Sequence, residues 1–114
     1  MPPREWKLRV SDILQAISRI QQYTEGVTLD AFATDEEKVD AVARRLEIIG
    51  EAARYVPQDV QQRYPSIPWA EMRGIRNVVA HGYFDVDIPV LWDTVRQDLP
   101  PLVPLLRGIL EKEP

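Results

Sequence analysis

The chain of 114 residues contains no cysteine and a single histidine, His81. Without thiols there can be no disulfides and no thiolate metal sites, and one imidazole leaves no room for the multi-histidine clusters that hold catalytic zinc. No cofactor is expected. Long apolar runs are missing as well. No window approaches the roughly 20 residues of a membrane span. The start, Met1-Pro2-Pro3-Arg4-Glu5-Trp6, turns amphipathic without the apolar core of a signal peptide. These absences point to a soluble cytoplasmic protein with no membrane partner. Alternating strand patterns, internal repeats and low-complexity linkers are equally lacking, so the length and the 45% hydrophobic content suit one helical domain spanning residues 1–114.

Positive charge is also in short supply. Fourteen basic residues face eighteen acidic ones, a net charge of −4, which taken whole argues against a nucleic-acid binder, because affinity for phosphate backbones is largely electrostatic. The distribution is uneven. Residues 1–43 and 77–114 each sum to −3, whereas residues 44–76 carry Arg44, Arg45, Arg54, Arg63, Arg73 and Arg76 against four carboxylates. All six cations there are arginine, whose planar fork of donors matches phosphate, although an isolated arginine on a helix is ordinarily a solvated surface charge.

Apolar residues recur at helical spacing nearly throughout. Trp6, Val10, Ile13, Leu14, Ile17 and Ile20 define a first helix that fades near Tyr23 and stops before Gly26. Thr34 and Glu37 read as a capping box opening a second helix. That helix carries Val39, Val42, Leu46, Ile49, Ala53 and Val56 on one stripe and Ala41, Ile48, Ala52 and Tyr55 on a second. Two stripes imply packing on two sides, against more than one helix or against another subunit. Gly50 within it should cost about 1 kcal/mol relative to alanine, which close approach of a neighbouring helix would justify. Pro57, Pro65 and Pro68 interrupt the chain before a third helix from about residue 68 to His81, with Gly82 as its stop. Asp87 caps a fourth run through Trp92, Val95, Leu99, Leu102, Leu106 and Ile109, which Pro100, Pro101 and Pro104 must kink or split near Leu99. The expected fold is an all-α, antiparallel up-and-down bundle of four main helices, the last kinked at prolines.

Chemistry concentrates in Arg76-Asn77-Val78-Val79-Ala80-His81-Gly82-Tyr83, which brings the lone histidine together with an arginine, an amide and a phenol. Catalysis near neutral pH by an imidazole must centre on His81. Asn77 and His81 lie four residues apart and stack on one helical face, while Arg76 starts from an adjacent face and must swing round to join them. If Gly82 ends the helix, His81 occupies the last turn, where the negative end of the dipole favours its protonated form. The plainer alternative is a histidine that only satisfies free carbonyls at a helix end, beside an ordinary surface arginine.

The whole string is more specific than its spacing. It resembles the HepT-like group of the HEPN family (higher eukaryote and prokaryote nucleotide-binding domain), whose hallmark of Arg, Asn, three residues, His, one residue and Tyr is matched by Arg76, Asn77, His81 and Tyr83. Leu46-Glu47-Ile48-Ile49-Gly50-Glu51-Ala52-Ala53, the Ile67-Pro68-Trp69 lead into the motif helix, and Val90-Leu91-Trp92 followed by Leu99-Pro100 are similar to that family's pattern too. The resemblance implies a metal-independent endoribonuclease, the toxin of a type VII-like toxin-antitoxin system. Its substrate would be RNA, whether tRNA or mRNA. Metal-free cleavage needs a base at the ribose 2′-hydroxyl, an acid at the departing 5′-oxygen and a cation on the phosphate. Arg76 is the candidate phosphate clamp, His81 the proton-transfer residue and Asn77 the supporting residue that orients either. One histidine per chain falls short of a separate acid and base, and the resemblance supplies a homodimer that brings two motif helices together.

Tyr83 has two readings. An aromatic after a helix-ending glycine commonly folds back onto the last turn; by resemblance, Tyr83 is the adenylylation site of a cognate minimal nucleotidyltransferase antitoxin. Two further functions stay open beside the nuclease: a non-catalytic binding subunit of a nucleotidyltransferase complex, and a purely structural helical dimer. Glu51 is either an exposed carboxylate or a group that holds Arg76 or polarises His81. Trp69 and Trp92 are expected as core or interface anchors rather than base-stacking platforms.

Overall fold

The computed structural model describes residues 5–79 and 87–113, and all of its regular structure there is helical. In chain order the elements are α1 (Trp6–Thr24), α2 (Leu29–Ala33), α3 (Glu36–Arg54), α4 (Gln58–Arg63), α5 (Trp69–Val79), α6 (Ile88–Asp93), a π-helical segment (Thr94–Asp98) and α7 (Leu102–Lys112). The long pair, α1 and α3, forms the centre. α5 lies on α3, and α7 lies on α1. Arg9 near the start of α1 meets Tyr55 at the end of α3, so these two helices run antiparallel. Arg73 near the start of α5 meets Gln61 of α4, just beyond that same end of α3, and the up-and-down order continues.

The 3–4 spacing puts Val10, Ile13, Ile17 and Ile20 of α1 against Val42, Leu46, Ile49 and Ala53 of α3, with Met72 and Ile75 of α5 and Leu99, Leu102, Leu106 and Ile109 completing one core. At about 1.5–3 kcal/mol for each fully buried aliphatic side chain, this cluster dominates stability. The first stripe of α3 is buried from Val39 to Val56. The second stripe is graded. Ala52 is buried, Ala41 and Ile48 are half-buried, and Tyr55 stands exposed. Gly50 is buried on the helix that packs on both sides.

α1 ends as expected. Gly26 takes the left-handed conformation (φ 70°), and the Thr24 hydroxyl donates to the Ile20 carbonyl at 2.8 Å. Arg96 then closes this end from across the bundle, donating from Nη2 to the carbonyls of Thr24 (2.8 Å) and Val27 (2.9 Å). A cation on the last carbonyls of a helix satisfies free acceptors and complements the dipole. The same guanidinium lies 4.5 Å from the centre of the Trp92 ring, and Trp92 packs on the buried Phe32 of α2 with ring centroids 5.0 Å apart. Trp92 is thus an anchor, and so is Trp69, which is buried and donates its indole N–H to the Tyr64 carbonyl at 3.0 Å.

One local expectation is corrected. The capping box at Thr34 and Glu37 does not form: Thr34 ends α2 instead, its hydroxyl turned back to the carbonyls of Asp30 and Ala31. Asp35 caps α3 by accepting from the Lys38 amide at 3.1 Å. Asp35→Ala is therefore expected to cost about 1 kcal/mol, and Thr34→Ala markedly less, a contrast that urea denaturation of both variants measures. The fourth run splits near Leu99, one of the two outcomes that its prolines allow. Pro100 supplies no amide hydrogen and crowds the carbonyl four residues before it. The preceding turn widens to a π-helical one, closed by the Leu99 amide donating to the Thr94 carbonyl at 3.1 Å. Asp87 caps α6 as expected, accepting from the Val90 amide at 3.2 Å.

Candidate functional site

The motif rides on α5, whose position is set before the first catalytic candidate is reached. Pro68 precedes the helix and accepts the Met72 amide at 3.0 Å. The Tyr64 carbonyl holds the indole of Trp69 and the amide of Ile67 at once. Trp69, Met72 and Ile75, three residues apart, are all buried against the core. This stripe presses α5 onto α3 and fixes its rotation about its own axis.

With the rotation fixed, the register of the following positions is fixed too. Arg76 follows the buried Ile75 directly on the helix, and Asn77 comes next and is exposed. Asn77 shares its face with Arg73, four residues earlier. His81 and Tyr83 lie outside the described residues, as does the expected stop at Gly82. The structure therefore places the backbone of Arg76 and the exposed Asn77 on a helix held rigidly by its buried stripe. A site built on a packed helix starts with its first residues pre-positioned.

Glu51 lies on α3. Its carboxylate lies 4.0 Å from the Arg54 guanidinium, three residues on, and it shares a groove between α1 and α3 with Arg9, Asp12, Arg44 and Glu47. Arg44 and Glu47 pair at 3.5 Å, and Arg63 binds both Asp59 (3.2 Å) and Glu113. The contact with Glu113 raises the pKa of Arg63 above its ordinary value, and Asp59 adds to the shift. Much of the arginine-rich stretch is thus neutralised within the fold. Arg73 is held differently: its Nη1 donates to Oε1 of Gln61 at 2.6 Å, and Gln61 donates in turn to the Val56 carbonyl at 2.9 Å. Reading the sequence did not single out Arg73 or Gln61. The available signal was the four-residue offset between Arg73 and Asn77.

A sequence profile of the family described as "Ribonuclease HepT-like" matches residues 13–109, from α1 through α7 and across the whole motif. The chain belongs to the HepT-like ribonuclease family. Among its relatives is a protein of Thermococcus cleftensis named "Probable ribonuclease HepT", 42% identical over 109 residues that make up 96% of each chain. Two others, whose names propose an RNase, come from Methanocaldococcus jannaschii (38% identical over 100 residues, 88% of this chain and 92% of the relative) and Caldanaerobacter subterraneus subsp. tengcongensis (33% over 101 residues, 89% and 90%). No solved structure gives a significant match. As HepT-like membership implies for the fold, the described residues form a helical bundle without strands. None of its helices is long and apolar enough to cross a membrane.

Proposed function

We propose that the protein is a metal-independent endoribonuclease, the toxin of a two-gene toxin-antitoxin system in the cytoplasm. The observation that carries this reading is family membership over residues 13–109 with Arg76, Asn77, His81 and Tyr83 all in place. In this mechanism the ribose 2′-oxygen loses its proton to a base and attacks the adjacent phosphorus. The bond to the 5′-oxygen breaks, and an acid protonates that oxygen as it leaves. A 2′,3′-cyclic phosphate and a free 5′-hydroxyl result. Arg76 holds the phosphate while charge gathers on its oxygens, His81 moves the proton, and Asn77 orients the imidazole or the phosphate.

Two imidazoles would supply a separate acid and base, and in this reading the active form is a two-fold dimer whose motif helices meet and whose site contains both copies of His81 and Arg76. Activity per chain should then fall on dilution through the dimer dissociation range, as followed by sedimentation velocity beside initial rates. A monomer that cleaves at the full rate overturns the dimeric site. Tyr83 lies two residues beyond His81 and is the acceptor of adenylyl groups from the cognate minimal nucleotidyltransferase. The added phosphate would bring negative charge to the place where RNA binds and would occupy Arg76 and His81.

A further inference from the structure

Beyond the end of α3, the chain turns through α4 and back along α5, and these three elements enclose a groove of about 450 Å³ lined by Arg54, Tyr55, Gln58, Gln61 and Arg73, with no carboxylate in its wall. Four surface grooves on the described residues differ in charge. The groove between α1 and α3 carries Asp12, Glu47 and Glu51 against Arg9 and Arg44, and the one between α5 and α7 carries Glu71 and Asp98 with no cation. A fourth, beside Gly26, pairs Glu25 with an Arg96 already bound to backbone carbonyls. Of these four, the α3–α4–α5 groove alone has an excess of positive charge in its lining.

Its parts are arranged, not merely present. Arg73 forms no ion pair among the described residues. The chain of bonds through Gln61 to the Val56 carbonyl fixes its direction while using one of its five donors. Tyr55 is the single aromatic among the exposed large apolar side chains described, at 52% exposure. The Arg9 guanidinium lies 4.5 Å from its ring centre and that of Arg54 6.0 Å. An exposed ring flanked by guanidiniums is the usual combination for holding a base beside a phosphate in single-stranded nucleic acid. The groove also lies in line with the motif, because Arg73 is one helical turn, about 6 Å of rise, before Asn77 on the same face.

We propose that this groove is a docking subsite for single-stranded RNA, in which Arg73 binds a phosphate neighbouring the scissile one and Tyr55 stacks on a base. The inference rests on the ribonuclease reading and names positioning residues for it. The test is fluorescence anisotropy with a fluorescein-labelled, unstructured 15-nucleotide RNA, in a His81→Ala background across a salt series, paired with KM and kcat in the His81-intact chain. Arg73→Ala should raise Kd about tenfold and reduce the slope of log Kd against log salt by about 0.7, the loss of one phosphate contact on a single strand. Tyr55→Leu should raise Kd at least fivefold with the slope unchanged, and Tyr55→Phe should bind as the parent does. Arg107→Ala, on the exposed face of α7, should alter neither quantity. In cleavage, Arg73→Ala should raise KM tenfold with kcat within twofold. Cleavage with an unchanged KM in Arg73→Ala overturns the subsite and leaves the nuclease standing. Arg73-dependent binding by a chain that does not cleave keeps the subsite and removes the nuclease. No binding of the RNA by the parent protein overturns both.

Discussion

Replacing Arg76 with alanine is expected to lower RNA cleavage by about two to three orders of magnitude, mostly in kcat. The reason lies in when its interaction matters. The phosphate is already charged in the bound substrate, but attack by the 2′-oxygen gathers further charge on the non-bridging oxygens. A guanidinium aimed at them is worth more in the transition state than in the ground state. Arg76→Lys keeps the charge and loses the planar pair of donors, so it should recover only part of the rate. Arg76 follows Ile75, whose side chain is buried against the core, while Asn77 beside it is exposed. The helix is anchored by Trp69, Met72 and Ile75. The alanine variant should therefore keep its helical circular dichroism and its melting temperature within a few degrees. Initial rates on the same preparation separate this outcome from misfolding. Wild-type cleavage by Arg76→Ala would remove the phosphate clamp from the mechanism.

The second large effect concerns control rather than chemistry. Tyr83→Phe should cleave RNA at close to the wild-type rate, because the proposed mechanism assigns proton transfer to His81. Coexpression with the cognate nucleotidyltransferase should silence the wild type and leave Tyr83→Phe toxic. The variant lacks the phenolic oxygen proposed to accept the adenylyl phosphorus. In the transfer, that oxygen attacks the α-phosphorus of a nucleoside triphosphate, pyrophosphate leaves, and the phenolic proton goes to solvent. Intact-mass measurement gives the direct readout: one or more added nucleotidyl groups on the wild type and none on Tyr83→Phe. Equal silencing of both chains would instead mean that the partner acts by binding alone, and would favour a complex in which this chain is the binding subunit.

The bundle was legible in the sequence because its core is written locally. Ile13, Ile17 and Ile20 in α1, and Leu46, Ile49 and Ala53 in α3, fall at helical spacing and are buried where that spacing puts them. Prolines mark the breaks at Pro57, Pro68 and Pro100. What escaped is of two kinds. Some choices lie between near-equivalent local caps. Thr34 and Asp35 are adjacent and both able to cap α3; the short α2, capped by Thr28, claims the first and leaves the second. Others depend on residues far apart in the chain. Arg96 closing α1 across some seventy residues, and Gln61 steering Arg73, have no periodic signature. The four motif residues could be singled out because they stand within eight consecutive positions. Arg73 belongs to the same helix face, but an arginine four residues upstream is ordinary until Gln61 and Tyr55 are seen around it.

The measurement that bears most directly on the central claim is cleavage of labelled tRNA and of mixed cellular RNA by purified protein in excess chelator, with His81→Ala alongside. The protein is first confirmed by mass to be free of adenylyl groups at Tyr83. The account predicts cleavage that is indifferent to the chelator, leaves 2′,3′-cyclic phosphate and 5′-hydroxyl ends, and falls by at least a hundredfold in His81→Ala. Absence of cleavage by the unmodified wild type, or cleavage that survives loss of the only imidazole in the chain, would contradict it.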